Sequence, residues 1–344
     1  MSPSDKLKVE LDNLREKAEL KQTGKEEVVS TGSLMLDMAL HKGCKSDRPI
    51  GIPRGCVVDL FGDEGLGKTT LTLYMMAERI RNKEHCVYLD VEHRINPDLL
   101  DIMIPDKNYF TIFQPKDGDA ALSLLESVVK MKDVRMLAVD SMAAIVPSEM
   151  FEEDAGNYVG LAARKITNTI KKILPSVYEN RTIVVLINQM RANLSFTFRG
   201  SDKKSTSHWA LKFLASIRLQ MTSDGVIRVS DDVLGQKVVV TAVKNSFAAP
   251  YGKAPMSIIF GKGIDRVRDL IDCGILSGVI EKNGGWFAYR DEGKKGEVAE
   301  IKAHGEEELV QKLTPILPKV MARIQKALQS VKEDQGGAAE KPAE

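Results

Sequence analysis

The strongest constraint on this chain is a glycine-rich run that matches the pattern G-x-x-x-x-G-K-[ST] at every fixed position. The run consists of Gly62, Asp63, Glu64, Gly65, Leu66, Gly67, Lys68 and Thr69. Residues 56–61 before it are mostly apolar, as in a buried strand, and residues 69–77 after it favour a helix. Both flanks argue against a chance glycine-rich turn, because strand, loop and helix are the setting in which this pattern binds phosphate groups.

The residue types of this loop suit a nucleoside triphosphate. Glycines lack a Cβ, so the backbone N–H groups can approach an anion closely, helped by the positive end of the following helix. Lys68 would reach the β- and γ-phosphates, and Thr69 offers a hydroxyl to Mg²⁺, which prefers oxygen ligands. The next residue, Thr70, is also expected to bind the nucleotide. The loop therefore predicts ATP and Mg²⁺ as cofactors.

Length and composition restrict the remaining possibilities. A chain of 344 residues can form one large domain and a small one. The net charge of +1 means that any affinity for nucleic acid must come from a local basic patch. The four cysteines are far apart, which suits a reducing compartment. Without a membrane-length apolar stretch or a signal-peptide core, we expect a cytoplasmic protein with no membrane partner.

The N-terminal segment, residues 1–29, is predicted to be a helix and oligomerisation segment. Leu7, Leu11 and Leu14 recur at i, i+4 and i+7 in a charged background, which is typical of an amphipathic helix with a narrow apolar stripe. That stripe could pack on the core of the same chain or on a neighbouring subunit. The sequence leaves both arrangements open.

Residues 30–263 alternate between strand and helix patterns. Apolar runs of strand length occur at 57–61, 86–90, 136–140 and 182–188, and helix-period segments at 71–82, 120–131 and 161–178. This alternation predicts an α/β fold whose mostly parallel central sheet is flanked by helices. Three later strands, 216–222, 236–244 and 254–260, have no helices between them, and we expect them to be antiparallel additions at one edge.

The composition changes after residue 263. Helix patterns at 265–273 and 306–329 surround a short aromatic strand at 286–289, which predicts a small C-terminal α+β domain over 264–330. Residues 331–344 are mainly Gly, Ala, Glu, Lys and Pro, and they lack the apolar content needed to form a packed structure. We therefore predict a disordered tail.

Polar residues follow three of the predicted strands. Asp140 ends the run 136–140 and Glu92 follows the run 86–90, while Gln189 comes directly after 182–188. Ligands of α/β sheets bind at the carboxyl ends of the strands. Asp140 suits a Mg²⁺-organising acid and Glu92 can orient the attacking water. The amide of Gln189 could contact the γ-phosphate and report its hydrolysis to the loop that follows.

The chain resembles bacterial-type RecA recombinases in motifs of matching order and spacing. These are residues 30–37, the glycine-rich loop, 90–93, 139–141, 160–164, 187–191, 210–213 and 243–245. The resemblance covers roughly residues 28–290. It implies a RecA-like P-loop ATPase core and a helical homo-oligomer on single-stranded DNA, with ATP at the subunit interface. It also implies homologous pairing with duplex DNA and strand exchange in recombination and repair.

The resemblance assigns roles to particular residues. It implies that Lys68 and Thr69 bind the phosphates and Mg²⁺, that Glu92 activates water, that Asp140 organises the metal and that Gln189 senses the γ-phosphate.

Two further assignments concern the subunit interface and the adenine. Lys244 matches one of two lysines that family members extend to the neighbour's γ-phosphate, but Ser246 occupies the position of the second and supplies no cation. Phe260 matches an aromatic residue near the adenine. Leu99 stands where some members have a tyrosine that stacks on the base.

DNA binding is expected from two loops, about 149–160 and 190–208. The second loop combines basic and aromatic side chains, which neutralise phosphates and wedge against unstacked bases. It also departs from the family at residues 207–209, where Ser, His and Trp replace a glycine-rich segment. The DNA-binding residues predicted from their basic or aromatic side chains are Arg164, Lys171, Arg191, Phe198, Arg199, Lys203 and Lys204. The resemblance adds Val159 and Leu194, which match residues that insert between base triplets in the family.

Two other classes of protein share parts of this pattern. A ring-forming ATPase such as a helicase or loader would use the same core, and a DNA-coating regulator would bind DNA with little hydrolysis. The intact Lys68, Glu92 and Asp140 argue against the regulator. The N-terminal helix and the family-specific residues 160–164 and 210–213 argue against the ring.

Overall fold

The computed structural model describes residues 27–44, 50–146, 158–189, 211–229, 231–292 and 298–336. Within these ranges the strands are β1 (Val28–Val29), β2 (Ile52–Pro53), β3 (Val57–Gly62), β4 (His85–Asp90), β5 (Phe110–Phe113), β6 (Val134–Asp140), β7 (Ile183–Gln189), β8 (Ile217–Val229), β9 (Asp232–Asn245), β10 (Gly252–Ile259), β11 (Gly263–Ile264), β12 (Ile280–Asn283), β13 (Trp286–Glu292) and β14 (Val298–His304). The α-helices are α1 (Leu34–Leu40), α2 (Lys68–Arg81), α3 (Pro97–Met103), α4 (Gly118–Val128), α5 (Tyr158–Asn180), α6 (Arg266–Leu276), α7 (Glu306–Leu313) and α8 (Leu317–Gly336).

A nine-stranded sheet forms the centre of the described chain, in the order β11-β10-β9-β8-β3-β7-β6-β4-β5. The strands from β8 to β5 are parallel, and β9, β10 and β11 are antiparallel additions. Our expectation that strand 216–222 is also an antiparallel addition was wrong, because β8 lies parallel to β3. A parallel pair needs a crossover of a dozen or more residues, and the chain between β7 and β8 is long enough for one.

Helices cover both faces of the parallel strands. Every residue of β3 is buried, and its alternate residues face opposite sides of the sheet. Val58 and Leu60 belong to the apolar core that includes Leu73 of α2, whereas Val57 belongs to the core that includes Ile170 of α5. Each fully buried side chain of this size stabilises the fold by roughly 1.5–3 kcal/mol. Burial on both faces explains why these strands are continuously apolar in sequence.

The strand register brings the predicted polar residues to one edge of the sheet. Gly62 at the end of β3 pairs with Gln189 at the end of β7. Asp90 at the end of β4 pairs with Asp140 at the end of β6. The glycine-rich loop and the predicted acids therefore lie along the same carboxyl edge.

Eight described elements were not predicted: the helices α1 and α3, and the strands β1, β2, β5, β11, β12 and β14. Both helices have seven residues, which is too short for a hydrophobic period to emerge from the sequence. Local caps mark their starts instead. Ser33 accepts a hydrogen bond from the Leu36 N–H, and Asn96 precedes Pro97 and accepts one from the Asp98 N–H.

The chain after β11 forms α6, a three-stranded antiparallel sheet in the order β12-β13-β14, and the helices α7 and α8. The last helix continues to Gly336, beyond residue 330, after which we predicted a disordered tail. Residues 337–344, and residues 1–26 with the predicted N-terminal helix, lie outside the described ranges. None of the described helices is long and apolar enough to cross a membrane.

Helix α6 is tied to the start of α1 by a buried aspartate. Asp269 accepts hydrogen bonds from the Ser33 hydroxyl at 2.6 Å and from the Leu34 N–H at 2.8 Å. On α1 itself, Asp37 accepts hydrogen bonds from the hydroxyls of Ser30 and Thr31, both at 2.6 Å. Burial raises the pKa of both carboxyls from 3.8 to about 6. Asp37, within α1, and Asp269, at its start, thus both hold the short helix that links the C-terminal elements to the central sheet.

A buried ion pair joins the centre of the sheet. Asp59 of β3 is fully buried, and it accepts hydrogen bonds from Arg218 Nε at 2.7 Å and from Asn188 Nδ2 at 2.5 Å. The Arg218 guanidinium also lies over the Phe61 ring, 4.5 Å from its centroid. Three neighbouring strands, β8, β3 and β7, are thereby held in one register by polar contacts as well as by the backbone ladder.

We predict that Arg218→Met lowers the free energy of unfolding by about 3–5 kcal/mol, because it leaves the Asp59 carboxylate buried without its cation. Adding Asp59→Asn should recover part of the loss, since the remaining group is neutral. Urea unfolding of both variants measures the difference. A loss below about 1 kcal/mol in the single variant, or no recovery in the double one, would contradict this account.

The buried acids predict a pH dependence of stability. A carboxyl whose pKa is raised on folding binds protons more tightly in the native chain, so the free energy of unfolding falls as pH rises from about 4 to 6. Two pKa units correspond to about 3 kcal/mol per carboxyl. Asp269→Asn should make this decline shallower by about 1–3 kcal/mol, with exposed Asp133→Asn as the matched control. Parallel curves for wild type and Asp269→Asn would refute the prediction.

Candidate active site

A cleft of about 300 Å³ opens at the carboxyl edge of the sheet. Eight predicted site residues line it: Glu64, Gly65, Gly67, Lys68, Thr69, Glu92, Asp140 and Gln189. The other lining residues, which sequence reasoning missed, are Asp90, Arg94, Ile95 and Ile187. The structure therefore brings together the glycine-rich loop, both predicted acids and the predicted amide.

The glycine-rich loop adopts backbone conformations that require glycine. Gly65 and Gly67 have φ angles of 77° and 84°, and α2 begins immediately after Gly67. A Cβ on Gly67 would lie 2.5 Å from Cδ1 of Ile258, so β10 packs tightly against the loop. Gln236 of β9 donates a hydrogen bond from Nε2 to the Gly65 carbonyl at 2.8 Å. The antiparallel strands thus support the loop from one side.

Lys68 lies under the loop at the start of α2. Its ammonium donates to the carbonyls of Gly62 at 2.9 Å and Asp63 at 2.6 Å. The residue is buried, and burial lowers the pKa of its amine. A cation held in this way is in position to meet a phosphate group bound to the loop N–H groups.

Thr69 and Asp140 form the predicted metal-binding pair. The Thr69 hydroxyl donates to Asp140 Oδ2 at 2.6 Å, and the Tyr88 hydroxyl donates to the same oxygen at 2.5 Å. Burial raises the pKa of Asp140, whereas the two hydrogen bonds oppose that rise. The described residues contain no cluster of three or more His, Cys, Asp or Glu side chains that could hold a metal by itself. A hydroxyl beside a carboxylate fits a metal that takes its remaining ligands from phosphates and water.

Glu92 is held by two donors that come from neighbouring strand ends. The Ser141 hydroxyl, just after β6, and Gln189 Nε2, at the end of β7, both donate to Glu92 Oε1, the latter at 3.0 Å. The second oxygen, Oε2, lies 3.6 Å from Nη1 of Arg94. The carboxylate is therefore oriented through one oxygen, and the other lies near the Arg94 guanidinium.

Asp90 shapes the turn that carries Glu92. Its carboxylate accepts hydrogen bonds from Gln114 Nε2 at 2.9 Å and from the N–H groups of Arg94 and Ile95. His93 has a φ of 55° and contacts the Pro115 carbonyl through Nε2 at 2.9 Å. The backbone on the C-terminal side of Glu92 is thus fixed by a strand-end acid and by the neighbouring loop.

Two predicted site residues lie away from this cleft. The Lys244 ammonium donates to the Phe213 carbonyl at 2.9 Å and to the Lys212 carbonyl at 3.3 Å. The pKa of Lys244 is lowered, mainly by partial burial and to a smaller extent by the positive charge of Arg218. Phe260 follows β10, and 55% of its surface is exposed. Neither residue lines the cleft of its own chain.

Most of the predicted DNA-binding residues lie outside the described ranges. Arg164 and Lys171 are exposed on α5, seven residues and about two turns apart. Val159 belongs to the same helix, but its side chain is not described. The residues outside the described ranges are Arg191, Leu194, Phe198, Arg199, Lys203 and Lys204, and nothing in the described chain tests them.

Sequence reasoning missed the residues that support the predicted acids. Tyr88 lies two residues before Asp90 on β4, and Ser141 directly follows Asp140. A polar residue next to a predicted strand-end acid is the signal that could have identified Ser141. Tyr88 gave no such signal, because a tyrosine within an apolar strand is equally typical of a core.

Comparison with known proteins agrees with this geometry. A model of the RecA N-terminal domain matches residues 14–265. Protein RecA of Paramagnetospirillum magneticum is 38% identical over 264 residues, which cover 76% of this chain and 71% of the relative. Protein RecA of Pseudomonas putida is 37% identical, covering 76% and 72%, and that of Thioalkalivibrio sulfidiphilus is 35% identical, covering 81% of each chain. The chain therefore belongs to the RecA family, whose members are DNA-dependent ATPases that act in recombination and repair by ATP-dependent strand exchange.

Proposed function

We propose that the cleft at the carboxyl edge binds ATP and hydrolyses it, and that Glu92 positions the attacking water. The observation that carries this proposal is the place of Glu92 in the lining of the cleft, where its Oε1 accepts hydrogen bonds from Ser141 and Gln189. Water attacks the γ-phosphorus as the bond to the bridging oxygen breaks, which releases ADP and inorganic phosphate. Glu92 accepts the proton of that water.

The phosphate-binding roles follow from the loop. Backbone N–H groups of the loop would bind the phosphates together with the start of α2, immediately after Gly67, where the helix dipole favours an anion. Lys68 adds a full positive charge, which would contact the β- and γ-phosphates. Phosphoryl transfer depends mainly on such positioning and charge neutralisation, since little covalent chemistry is left to the protein.

Mg²⁺ is the metal that suits the donor set beside the loop. The Thr69 hydroxyl and the Asp140 carboxylate would hold it, directly or through water, and both are oxygen donors. When bound, it would neutralise charge on the β- and γ-phosphates. Tyr88 orients Asp140 through its hydroxyl, as partners of metal-binding carboxylates commonly do.

We further propose that ATP lies between adjacent subunits of a helical filament on single-stranded DNA. Lys244 would then reach the γ-phosphate of the neighbour, and Phe260 would lie near the adenine. Gln189 joins Glu92 to the start of the loop predicted to bind DNA, so it is suited to couple the two sites. Arg164 and Lys171 would contact phosphates of the bound strand. A homologous duplex is the second DNA substrate.

A cytoplasmic location is part of this proposal. The four cysteines, all within the described residues, form no disulfide, and three of them are buried. Cysteines without disulfides suit a reducing compartment, where a recombinase would meet its DNA.

Two substitutions test the hydrolysis site. Lys68→Ala should abolish ATP binding and hydrolysis, because the phosphates lose their cation. Glu92→Gln should keep ATP-dependent binding to single-stranded DNA but lower the turnover number by at least about 100-fold, since an amide cannot accept the proton. ATP hydrolysis with and without single-stranded DNA gives both answers. Turnover of Glu92→Gln within about 3-fold of wild type would overturn the assignment.

Tyr88→Phe tests the metal site. The change removes one donor to Asp140, and the Mg²⁺ concentration for half-maximal hydrolysis should rise about 10-fold. Turnover at saturating Mg²⁺ should change much less, because the phosphate and water contacts remain. Tyr109→Phe, which alters a tyrosine outside the cleft, is the matched control. An unchanged Mg²⁺ requirement in Tyr88→Phe would show that this hydrogen bond has no role in metal binding.

A further inference from the structure

The candidate cleft contains more negative than positive side chains. Among its described lining residues, Glu64, Asp90, Glu92 and Asp140 are acids, whereas Lys68 and Arg94 are the cations. A bound nucleoside triphosphate adds further negative charge, and the transition state spreads that charge over the oxygens of the transferring group. Each cation that can reach the γ-phosphate therefore helps to neutralise this charge. Arg94 is a lining cation to which the function proposed above gives no role.

The backbone of Arg94 is fixed in place. Its N–H donates to Asp90 Oδ1 at 3.2 Å, and the Ile95 N–H donates to Asp90 Oδ2 at 3.3 Å. Gln114 holds the same carboxylate, and His93 is anchored to the Pro115 carbonyl. The Arg94 side chain thus starts from a defined point, two residues beyond Glu92.

The side chain itself is loosely held. It is 73% exposed, and the distance from its Nη1 to Glu92 Oε2 is 3.6 Å. That separation is too long for a strong hydrogen bond, and an exposed pair of this kind contributes little to stability. The guanidinium can therefore leave Glu92 at small cost. Its present position is beside Oε2 of Glu92, the carboxylate that we propose positions the attacking water, and both residues line the cleft.

At the proposed subunit interface the chain has one lysine where the family pattern has two. Ser246 stands two residues after Lys244, at the position where the family places a second lysine, and a serine carries no charge. An arginine reaching from the same chain is a physically equivalent way to neutralise the transition state, since arginine fingers act in cis as well as in trans.

We propose that Arg94 is a catalytic residue that contacts the γ-phosphate of ATP bound in its own subunit and stabilises the transition state of hydrolysis. This proposal rests on the proposed function of the cleft. Arg94 moves from Glu92 Oε2 to the equatorial oxygens of the transferring group. Water bonds to the γ-phosphorus, the bond to the bridging oxygen breaks, ADP leaves with the electron pair, and Glu92 takes the proton. Arg94 exchanges no proton, because guanidinium stays charged throughout.

The experiment compares Arg94→Ala and Arg94→Lys with wild type, as full-length chains on single-stranded DNA with Mg²⁺. We expect Arg94→Ala to lower the turnover number by about 10- to 100-fold, less than the 10³–10⁵ of an arginine finger in other P-loop enzymes, since Lys244 of the neighbour would still supply a cation. The KM for ATP should change by less than about 3-fold, and Arg94→Lys should be intermediate because its point charge lacks the planar fork.

Binding of ADP with aluminium fluoride, which mimics the transferring group, separates catalysis from folding. Arg94→Ala should weaken this complex in proportion to the loss of turnover and leave ADP affinity unchanged. Arg181→Ala is the matched control, since Arg181 is an exposed arginine whose Nη1 lies 3.5 Å from Glu27 Oε2, outside the cleft. It should keep wild-type turnover and wild-type affinity for the aluminium fluoride complex.

Two results would overturn the proposal. One is turnover of Arg94→Ala within about 3-fold of wild type. The other is a pair of observations on Arg94→Ala: the acid limb of the pH–rate profile shifts to higher pH, and the affinity for ADP with aluminium fluoride is unchanged. That pair would mean that Arg94 acts only on Glu92. Lys68→Ala and Glu92→Gln, assayed in parallel, separate this failure from a failure of the site: if they also hydrolyse ATP normally, both proposals fall.

Discussion

The site depends on the alignment of strand ends, because Glu92 Oε1 accepts hydrogen bonds from residues at the ends of two other strands. One donor directly follows β6, the other ends β7, and Glu92 itself follows β4, so the shared oxygen requires three parallel strands to end at one level. A shift of one residue in any strand would turn the donors to the opposite face. The fully buried Asp59, bonded to side chains of β7 and β8, helps to fix that level from within the sheet.

The antiparallel strands serve two sites at once. Gln236 and Ile258 support the glycine-rich loop of the same chain, and β9 also carries Lys244, which we propose acts on the neighbour. Asn245, the next residue, donates to the Leu40 carbonyl at 2.8 Å and so ties this end of β9 to α1. The other end of α1 is held by Asp269 of α6. The C-terminal elements and the proposed interface are therefore connected through one short helix.

The sequence predicted the central features of the fold and the site because they depend on local patterns. The glycine-rich loop, Asp140, Glu92 and Gln189 each follow an apolar strand, and parallel strands bring their carboxyl ends to one edge. The direction of β8 could not be predicted from its own residues, since it depends on the connection that precedes it. Tyr88 and Arg94 were missed because their importance lies in the side chains they face, and spacing along the chain does not reveal those partners.

We propose that Gln189 links the water-positioning carboxylate of Glu92 to the loop predicted to bind DNA. The most direct test is the steady-state ATPase rate of Gln189→Ala, measured with and without single-stranded DNA beside wild type. The account predicts that the DNA-independent rate stays within about 3-fold of wild type while DNA stimulation is lost, because Ser141 still orients Glu92 but the amide that connects Glu92 to the start of the loop is gone. Stimulation of Gln189→Ala equal to that of wild type would contradict the proposed coupling.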